Sequence, residues 1–421
     1  MTKTVALTWN QAEAKDLGNS LVQYTNCALL RNRHFVDEDL WVEKGKVVDA
    51  LQIFYNEKRM PDYRIDCKDM FIAPGFIDVQ VNGGFGVNLS HDHEDLVSQL
   101  DKLATSLLQS GVTAFCPTLI SSTPSFYQKA LQSYKARPGG NRGAAVLGIH
   151  LEGPFINKSR AGAHNVKHIS DNFGEGCNML TSIYGQDLSE VRIVTLAPEL
   201  ANAMEAIRHL SKKGIRVSIG HCKASLSIGL EAIECGATGI THLFNAMSPF
   251  HHRDPCLPGV LVAVDKRKIY YGIIADEVHC HKEALALAYG ICPAGMMLVT
   301  DSVTAMGLGE GVHQLGDVVF TVKDRRATVS DTDTLIGGIT PMNECIRSLV
   351  KATNCSGANA LNCASLHPAE FLGITNRKGM LKPGCDADFV ILDKEVNIMA
   401  TYIAGNRVYE NAKYAPRKTS G

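Results

Sequence analysis

Two patterns of hydrophobic and polar residues divide the chain. Over residues 21–66, short strand-like pieces alternate with polar turns, and no helical period is sustained. After Pro74, apolar runs of strand length alternate with amphipathic stretches of helical length. This alternation is typical of parallel strands joined by helical crossovers. After Gly384 the strand-like pattern of the N-terminal part returns, which predicts that the two ends form one small β-domain.

The middle of the chain contains eight candidate strands. They are Ile77 to Val81, Val112 to Pro117, Val146 to Glu152, Val191 to Leu196, Val217 to His221, Ile240 to Leu243, Ile269 to Ala275 and Met297 to Asp301. The amphipathic stretches Leu96 to Leu108, Leu200 to Lys213, Leu226 to Cys235 and Lys282 to Tyr289 are each followed by a Gly, as helix C-termini prefer. We therefore predict an α/β fold. It consists of a (β/α)8 TIM-type barrel over residues 73–374 and a small β-sandwich domain built from residues 1–72 and 375–421.

Composition and charge narrow the function classes. The chain has 421 residues, of which 45% are hydrophobic and 20% charged, and its formal net charge is -1. No long basic or acidic run offers a surface for nucleic acid or an anionic membrane, and no apolar run reaches the length of a membrane helix. The 13 cysteines are never spaced as CxxC, and the first ten residues lack the apolar core of a signal peptide. These features predict reduced thiols and a cytosolic protein.

Four apolar runs each end in a chemically useful side chain. The runs are Ala145-Val-Leu-Gly-Ile-His-Leu-Glu152, Arg216-Val-Ser-Ile-Gly-His221, Gly239-Ile-Thr-His242 and Met296-Met-Leu-Val-Thr-Asp301. In a barrel, the C-terminal ends of the strands converge on one site. Glu, His and Asp are the types that hold one divalent metal and move one proton, and a buried carboxylate is costly without a cation. The pattern predicts a metal-dependent hydrolase.

Each of these residues also has a plainer interpretation. Glu152 would serve a structural role if it paired with an Arg, and a single strand-end His is more often a core residue than a ligand. Asp301 lies between Thr300 and Ser302, where it suits a fourth metal ligand, a general base or a turn-capping carboxylate. The occurrence of two His and a Glu at equivalent strand ends favours the metal site.

Two histidine pairs compete with this assignment. His91-Asp-His93 resembles an HxH metal pair, but it lies beyond the first strand, in a loop that leads to a helix. The position for such a pair in the strand carries Gln80 and Asn82, whose amides bind transition metals poorly, so a second metal is not expected. The second pair, His251-His252, precedes Arg253 in a loop where substrate binding and surface exposure are equally compatible with the sequence.

Several segments together resemble the N-acetylglucosamine-6-phosphate deacetylases of the amidohydrolase superfamily. They are Ala73-Pro-Gly-Phe-Ile-Asp78 through Asn82-Gly-Gly84, His150-Leu-Glu-Gly-Pro-Phe155, Gly220-His221, Thr241-His-Leu-Phe-Asn-Ala-Met247, Thr300-Asp301 and Leu335-Ile-Gly-Gly338. The resemblance extends over residues 21–408. The segments beginning at His150 and Thr241 are specific in combination, whereas the Pro-Gly-Phe-Ile-Asp segment is shared across the superfamily.

The resemblance implies a site and a reaction. Glu152, His221 and His242 would hold one divalent ion, with zinc favoured and iron or cobalt as alternatives, and Asp301 would be the general base. The substrate would be a phosphorylated amino sugar, N-acetylglucosamine 6-phosphate, whose acetamide is hydrolysed to acetate and glucosamine 6-phosphate. Gln80 and Asn82 would place the chain in the one-metal branch of the family.

The resemblance also implies which residues contact the substrate. His164 would bind or polarise the acetamido carbonyl, and His279 would contact the sugar hydroxyls. Asn245 and Ala246, through their backbone, would hold the phosphate together with Arg253, which the resemblance allows to reach across the interface of a homodimer. Gly338 is also expected to contribute to substrate binding.

Two other functions remain compatible with the sequence. One is another amidohydrolase, acting on a cyclic amide or an aminated base, but the chain lacks the HxH pair and offers Glu152 where a bridging lysine would be needed. The other is a non-catalytic barrel scaffold, which predicts loss of Asp301 or of a metal ligand. Neither loss is present.

Overall fold

A computed structural model describes residues 4–10, 17–264, 269–315, 318–330, 332 and 335–413 of the chain. Its N-terminal part contains six strands: β1 (Val5–Thr8), β2 (Val22–Arg31), β3 (His34–Asp37), β4 (Leu40–Glu43), β5 (Lys46–Val47) and β6 (Tyr63–Pro74). The two long strands β2 and β6 pair in parallel, from Val22 opposite Tyr63 to Leu29 opposite Ile72. The N-terminal part is therefore a sheet, as its patterning predicts.

The next strands form the barrel and two short extensions of it. They are β7 (Phe76–Val81), β8 (Gly83–Gly84), β9 (Val87–Asn88), β10 (Val112–Leu119), β11 (Ala145–Val146), β12 (Ile149–Glu152), β13 (Val191–Leu196), β14 (Arg216–Ile219), β15 (Gly239–Ile240), β16 (Tyr270–Ile273) and β17 (Met296–Leu298). Eight of them pair side by side and in parallel in the described residues, in the order β7, β10, β12, β13, β14, β15, β16 and β17. A bridge between Val81 and Ser302 joins the last strand to the first. The predicted (β/α)8 barrel is confirmed.

The described residues form ten α-helices between and after these strands. They are α1 (Leu96–Leu107), α2 (Pro124–Ser133), α3 (Asn178–Tyr184), α4 (Ala203–Lys212), α5 (Leu226–Glu234), α6 (Cys256–Ala263), α7 (Lys282–Ile291), α8 (Met342–Thr353), α9 (Gly357–Ala364) and α10 (Leu366–Leu372). Helix α1 begins at Asp95, whose carboxylate accepts a hydrogen bond from the Ser98 amide, and α5 begins at Ser225, which caps it in the same way. No helix in the described ranges combines the length and apolar character that spanning a membrane requires.

Helix α10 closes one end of the barrel. Its Phe371 is buried with Ile77, Ile193 and Met297, which lie near the N-terminal ends of their strands. At the same end, His367 Nδ1 is 2.7 Å from the carbonyl oxygen of Met296, the first residue of β17. The N-terminal end of the barrel is therefore packed by α10, and the C-terminal end is left open for a site.

A small antiparallel sheet follows the last barrel strand. It comprises β18 (Gly311–Leu315), β19 (Val318–Lys323) and β20 (Arg326–Val329). Its buried residues Phe320, Val322 and Ala327 form a separate cluster with Ala305. We did not predict this sheet from the sequence, although the run from Phe320 alternates apolar and polar residues on both sides of a polar turn, which is a hairpin signal.

The C-terminal strands complete the N-terminal sheet. They are β21 (Phe389–Leu392), β22 (Ile398–Ile403) and β23 (Asn406–Glu410), and β21 pairs antiparallel to β6 with Phe389 opposite Pro74. One nine-stranded sheet thus contains strands from both ends of the chain, in the order β23-β22-β21-β6-β2-β4-β5, with β1 also paired to β6 and β3 also paired to β2. The rings of Phe389 and Tyr402 stack at 4.5 Å in its core, and Tyr24 packs edge-on against Phe389. The predicted association of the two ends is confirmed, while the domain limits at residues 72 and 374 stay a prediction.

Candidate active site

Four predicted side chains lie at the C-terminal ends of barrel strands. Glu152 is the last residue of β12, and His221, His242 and Asp301 follow β14, β15 and β17 by two or three residues. These last three residues have φ angles of 48°, 29° and 46°. Positive φ is uncommon for residues other than Gly, and such conformations cluster at functional sites. The backbone leaves the strand direction at each of these residues, where the barrel mouth begins.

Three of these side chains form a buried cluster. His242 Nε2 is 3.0 Å and His221 Nε2 is 3.3 Å from Glu152 Oε1, and the two Nε2 atoms are 2.9 Å apart. Within the described ranges, this is the one group of His, Cys, Asp or Glu side chains with the spacing of a metal site. Burial alone would raise the pKa of the Glu152 carboxyl, but hydrogen bonds from the two imidazoles, when these are protonated, hold the pKa well below its ordinary value. With neutral imidazoles, only a bound cation can take over this compensation.

The chemistry of this cluster fits a divalent cation. The Nδ1–H of His221 donates to the carbonyl oxygen of Arg160 at 2.7 Å, which leaves the Nε2 lone pair directed at Glu152 and His242. Three electron-pair donors that meet in a buried space repel one another unless a cation lies between them. Two imidazoles and one carboxylate also leave coordination positions open for water or substrate.

Asp301 lies beside this cluster but is not part of it. Its Oδ1 atom accepts hydrogen bonds from Asn82 Nδ2 at 2.6 Å and from Gln80 Nε2 at 3.2 Å. Gln80 Nε2 also donates to Glu152 at 2.8 Å. The two amides therefore act as hydrogen-bond donors to carboxylates, and the absence of a second metal stays a prediction. Burial and the nearby charge of Glu152 raise the pKa of Asp301, which favours a carboxyl that takes up a proton.

His164 faces the same space from the loop after β12. Its Nδ1 accepts a hydrogen bond from the Ser121 amide at 3.2 Å and lies 2.8 Å from Ser121 Oγ. An imidazole that accepts at Nδ1 carries its proton on Nε2, so His164 presents an N–H donor. Burial lowers its pKa to about 3, which keeps the ring neutral. Gly153, at φ 75°, makes this approach possible because a Cβ there would lie 2.7 Å from Ser121 Oγ.

A cavity of about 880 Å³ contains these groups. Its polar wall includes Glu152, His164, His221, His242, Asn245, Ala246, His279 and Asp301, and its apolar wall includes Ile120, Ile274, Val303, Phe320, Val329, Leu335 and Ile336. The second wall comes partly from β19 and β20, so the inserted sheet covers the barrel mouth. A volume in this range fits a small-molecule ligand.

Two predicted substrate contacts lie on this polar wall with defined partners. His279 Nδ1 is 2.7 Å from the Asp276 carboxylate, which also accepts hydrogen bonds from the backbone amides of Val278 and His279. Burial would lower the pKa of His279, but the hydrogen bond to Asp276 outweighs it and raises the pKa. The Asn245 amide donates to the His242 carbonyl at 2.9 Å, which ties this loop to a metal-cluster residue.

Two other predicted substrate contacts lie outside the cavity wall. Arg253 is exposed, on the turn between His251 and Asp254, and is absent from the lining residues that the structure describes. Gly338 is also absent from that lining, and Gly337 contributes instead. A Cβ at Gly338 would lie 2.3 Å from the carbonyl oxygen of Thr300, so Gly338 permits close packing beside Asp301. Within this chain, Gly338 therefore supports the site rather than lining it.

Sequence reasoning missed part of the cavity. His91, which the sequence assigned to a solvated loop, contributes to the wall with Asn88 and Ser90. These residues follow β7 at the C-terminal end of the barrel, and that position was the available signal. The role of Ser121 in orienting His164 had no signal in the sequence, because 43 residues separate the two.

Comparisons with known proteins agree with this geometry. Residues 71–408 match the amidohydrolase family, which is the class that the barrel and its site define. The N-acetylglucosamine-6-phosphate deacetylases of Danio rerio and Homo sapiens are each 47% identical to the chain, over 92% and 93% of its length and 97% of theirs. A mutant of the Mycobacterium smegmatis deacetylase, solved in complex with N-acetyl-D-glucosamine-6-phosphate, has a TM-score of 0.77 and 26% identity and covers 93% of this chain and 99% of its own. The chain therefore belongs to the amidohydrolase family and, within it, to the N-acetylglucosamine-6-phosphate deacetylases.

Proposed function

We propose that the protein hydrolyses the acetamide of N-acetylglucosamine 6-phosphate to acetate and glucosamine 6-phosphate. One observation carries the proposal. The buried cluster of Glu152, His221 and His242 shares its cavity with Asp301, whose Oδ1 atom accepts both amide hydrogen bonds and whose Oδ2 atom accepts none from the described residues. Family membership adds support, since relatives with that activity in their names align over nearly the whole chain. The alternative amidohydrolase substrates have no comparable observation in their favour.

The proposed cofactor is one divalent ion held by Glu152, His221 and His242, with zinc favoured and iron or cobalt also suited to these ligands. Such an ion polarises a carbonyl and makes water more acidic. The hydrogen bond from His221 to the Arg160 carbonyl supports the assignment, because metal-binding imidazoles donate their second N–H to an oxygen.

Asp301 moves the proton in the proposed mechanism. Gln80 and Asn82 both donate to Oδ1, and no described residue bonds to Oδ2, so Oδ2 is the oxygen that can take a proton from the attacking water. The protonated carboxyl then gives this proton to the leaving amine, which departs poorly without it. The raised pKa of Asp301 suits a group that must hold the proton between these two steps.

His164 stabilises the negative charge that develops on the acetamide oxygen. Its Nε2–H is available because Ser121 occupies Nδ1, and its neutral state avoids the cost of a second buried cation near His221. The apolar wall of the cavity excludes water around this oxygen, which strengthens the hydrogen bond.

The other end of the substrate is the phosphate. We assign it to the backbone of Asn245 and Ala246 and to Arg253 of a second copy of the chain in a homodimer, with His279 on the sugar hydroxyls. The exposed position of Arg253, outside the cavity of its own chain, supports a contribution across an interface. A cytosolic location fits the 13 cysteines, all of which are free thiols.

Acetate release from N-acetylglucosamine 6-phosphate by metal-loaded protein tests the proposal. The unphosphorylated sugar and an Asp301→Asn variant serve as controls, and bound metal is measured in both proteins. We expect release to require the phosphate and Asp301, with metal retained in the variant. No release from either sugar by protein that carries one metal would reject the substrate while leaving the hydrolase class in place.

A further inference from the structure

A second cavity lies at the opposite end of the barrel from the metal cluster. It has a volume of about 650 Å³ and is lined by the first residues of barrel strands, including Arg192 of β13 and Arg216 of β14, and by the end of α10. Arg216, the first residue of β14, precedes His221 by five residues of mostly extended chain, so roughly 16 Å separates the cavity from the Glu-His-His cluster. We call it the floor cavity.

The charge of the floor cavity is one-sided. Arg137, Arg192, Arg216, Arg377 and Lys378 line it, and none of its described lining residues is acidic. The whole chain, in contrast, has a net charge of only -1. Five cations around one concave space are therefore a local feature of this end of the barrel rather than a reflection of composition.

Three of these cations already have carboxylate partners outside the cavity lining. Arg137 pairs with Asp101, Arg377 with Asp386, and Lys378 with both Asp386 and Asp388. Their positive charges are thus largely compensated.

Arg192 and Arg216 differ from these three residues. Arg192 Nε donates to the Leu147 carbonyl at 3.1 Å, and neither guanidinium forms an ion pair with a carboxylate in the described part of the chain. The two residues lie on adjacent strands, since Arg216 pairs with Ile193, the neighbour of Arg192. Because neighbouring residues of a strand point to opposite faces, the two side chains leave different faces of the sheet, yet both line the floor cavity. An anion in the cavity can therefore contact two guanidinium groups that have no carboxylate partner in the described part of the chain.

We propose that the floor cavity binds a small phosphate ester that carries at least two negative charges. A guanidinium presents a planar fork of N–H donors that matches phosphate oxygens, which is why arginine is favoured at phosphate sites. The cavity also has apolar lining from Val146, Leu147 and Ile374, which suits the organic part of an ester. Its volume lies in the range of small-molecule sites.

Calorimetric titration of the metal-loaded, full-length protein with pyrophosphate tests this site. We expect the double variant Arg192→Gln/Arg216→Gln to weaken one binding event by at least about tenfold, since each guanidinium contributes charge-assisted hydrogen bonds. The double variant Arg33→Gln/Arg208→Gln removes two exposed cations that line neither cavity, and it should bind as the parent protein does. The Arg192→Gln/Arg216→Gln protein is called the floor variant. In both double variants, kcat and KM for deacetylation should stay within about twofold of the parent values, because both pairs of cations lie outside the active-site cavity.

Three results would overturn the proposal. The first is that the parent protein binds no pyrophosphate beyond the active site. The second is that the floor variant binds pyrophosphate as tightly as the parent protein does. The third is that both double variants weaken binding equally, which would indicate an effect of overall charge. Citrate serves as a carboxylate probe of similar charge, and tighter binding of citrate than of pyrophosphate would reject the assignment to phosphate. The single variants Arg192→Gln and Arg216→Gln replace the double variant if it does not fold.

Discussion

The two ends of the barrel treat buried charge in different ways. At the C-terminal end, the buried Glu152 and the partly buried Asp301 lie at hydrogen-bond distance from imidazoles or amides, and two of the cluster residues have left-handed backbone. At the N-terminal end, Lys378 is compensated by two aspartates, and Arg192 has no described ion-pair partner. The first end brings titratable groups together, which suits the change of protonation in the proposed reaction, whereas the second holds fixed charge.

The difference shows what makes one end reactive. We call the C-terminal end of the barrel, where Glu152, His221, His242 and Asp301 lie, the rim. Barrel strands of two to eight residues all end there, and the residues just beyond several of them leave strand geometry. Their side chains can therefore converge from four separate parts of the sequence. At the opposite end α10 packs into the barrel, so side chains there serve packing, charge balance and, at the proposed floor site, anion binding, none of which requires a change of protonation. Substitutions at the rim should change activity, and substitutions at the floor should change stability.

Loss of a metal ligand is the largest expected effect. His221→Ala or His242→Ala should remove the bound ion and lower acetate release by about a thousandfold or more, because the ion supplies several kcal/mol of charge stabilisation. His367→Gln is the matched control, since His367 is a buried histidine at the floor. Metal analysis together with kinetics checks both. If Asp301→Asn loses its metal as completely as the two histidine variants do, Asp301 is a metal ligand and not the base.

Removal of an amide that holds Asp301 should have a smaller effect at the same rim. Asn82→Ala deletes the 2.6 Å hydrogen bond to Oδ1, which fixes the carboxylate so that Oδ2 handles the proton. We expect kcat to fall about 10- to 100-fold with metal content unchanged, a range typical of residues that orient a site without contacting the metal. Asn88→Ala is the control, because Asn88 lines the same cavity but its side chain bonds to the Ser90 amide. An equal fall in both variants would contradict a specific role for Asn82.

The sequence predicted the rim far better than the floor, for physical reasons. Glu152 and His221 are recognisable because a polar residue that ends a long apolar strand must have a partner. Arg216 begins a strand, where a charged residue is ordinary and carries no signal. The contact between Ser121 and His164 depends on tertiary structure, and the inserted sheet of β18 to β20 was missed although its alternation was visible. Local pattern thus predicted the barrel and the three residues of the Glu-His-His cluster, but not the inserted sheet, the residues that orient the site or the second cavity.

A change at the floor should lower stability and leave catalysis alone. Lys378 and Asp388 are both 7% exposed and form an ion pair, so Lys378→Ala leaves a buried carboxylate without its cation. We expect a loss of about 3 kcal/mol in the free energy of unfolding, with kcat/KM for the deacetylation unchanged. Chemical denaturation and steady-state kinetics measure the two quantities. The double variant Lys378→Met/Asp388→Asn should recover part of the stability, and a large fall in kcat/KM in Lys378→Ala would break the distinction between the two ends.

The smallest expected effect concerns Asp78, which is buried in β7 between the two ends. Burial raises its pKa to about 7, although the Thr300 hydroxyl donates to it at 2.6 Å. The carboxyl of an unfolded Asp titrates near pH 4. Between about pH 4 and pH 7 the folded protein therefore keeps a proton on Asp78 that the unfolded chain has lost, so the free energy of unfolding falls as the pH rises through this range. Between about pH 5 and pH 7 the parent protein should lose about 2 kcal/mol relative to Asp78→Asn.

Denaturation at both pH values checks the Asp78 prediction. Asp37→Asn, at an exposed position in β3, is the control and should track the parent protein at both. A parent protein that gains stability relative to Asp78→Asn as the pH rises would mean that Asp78 is ionised in the fold. The carboxylate would then belong with the charged groups of the rim, because only a nearby cation or further donors could keep it ionised at that depth. A neutral Asp78 instead adds no further negative charge beside Glu152 and Asp301, the two carboxylates on which the proposed mechanism depends.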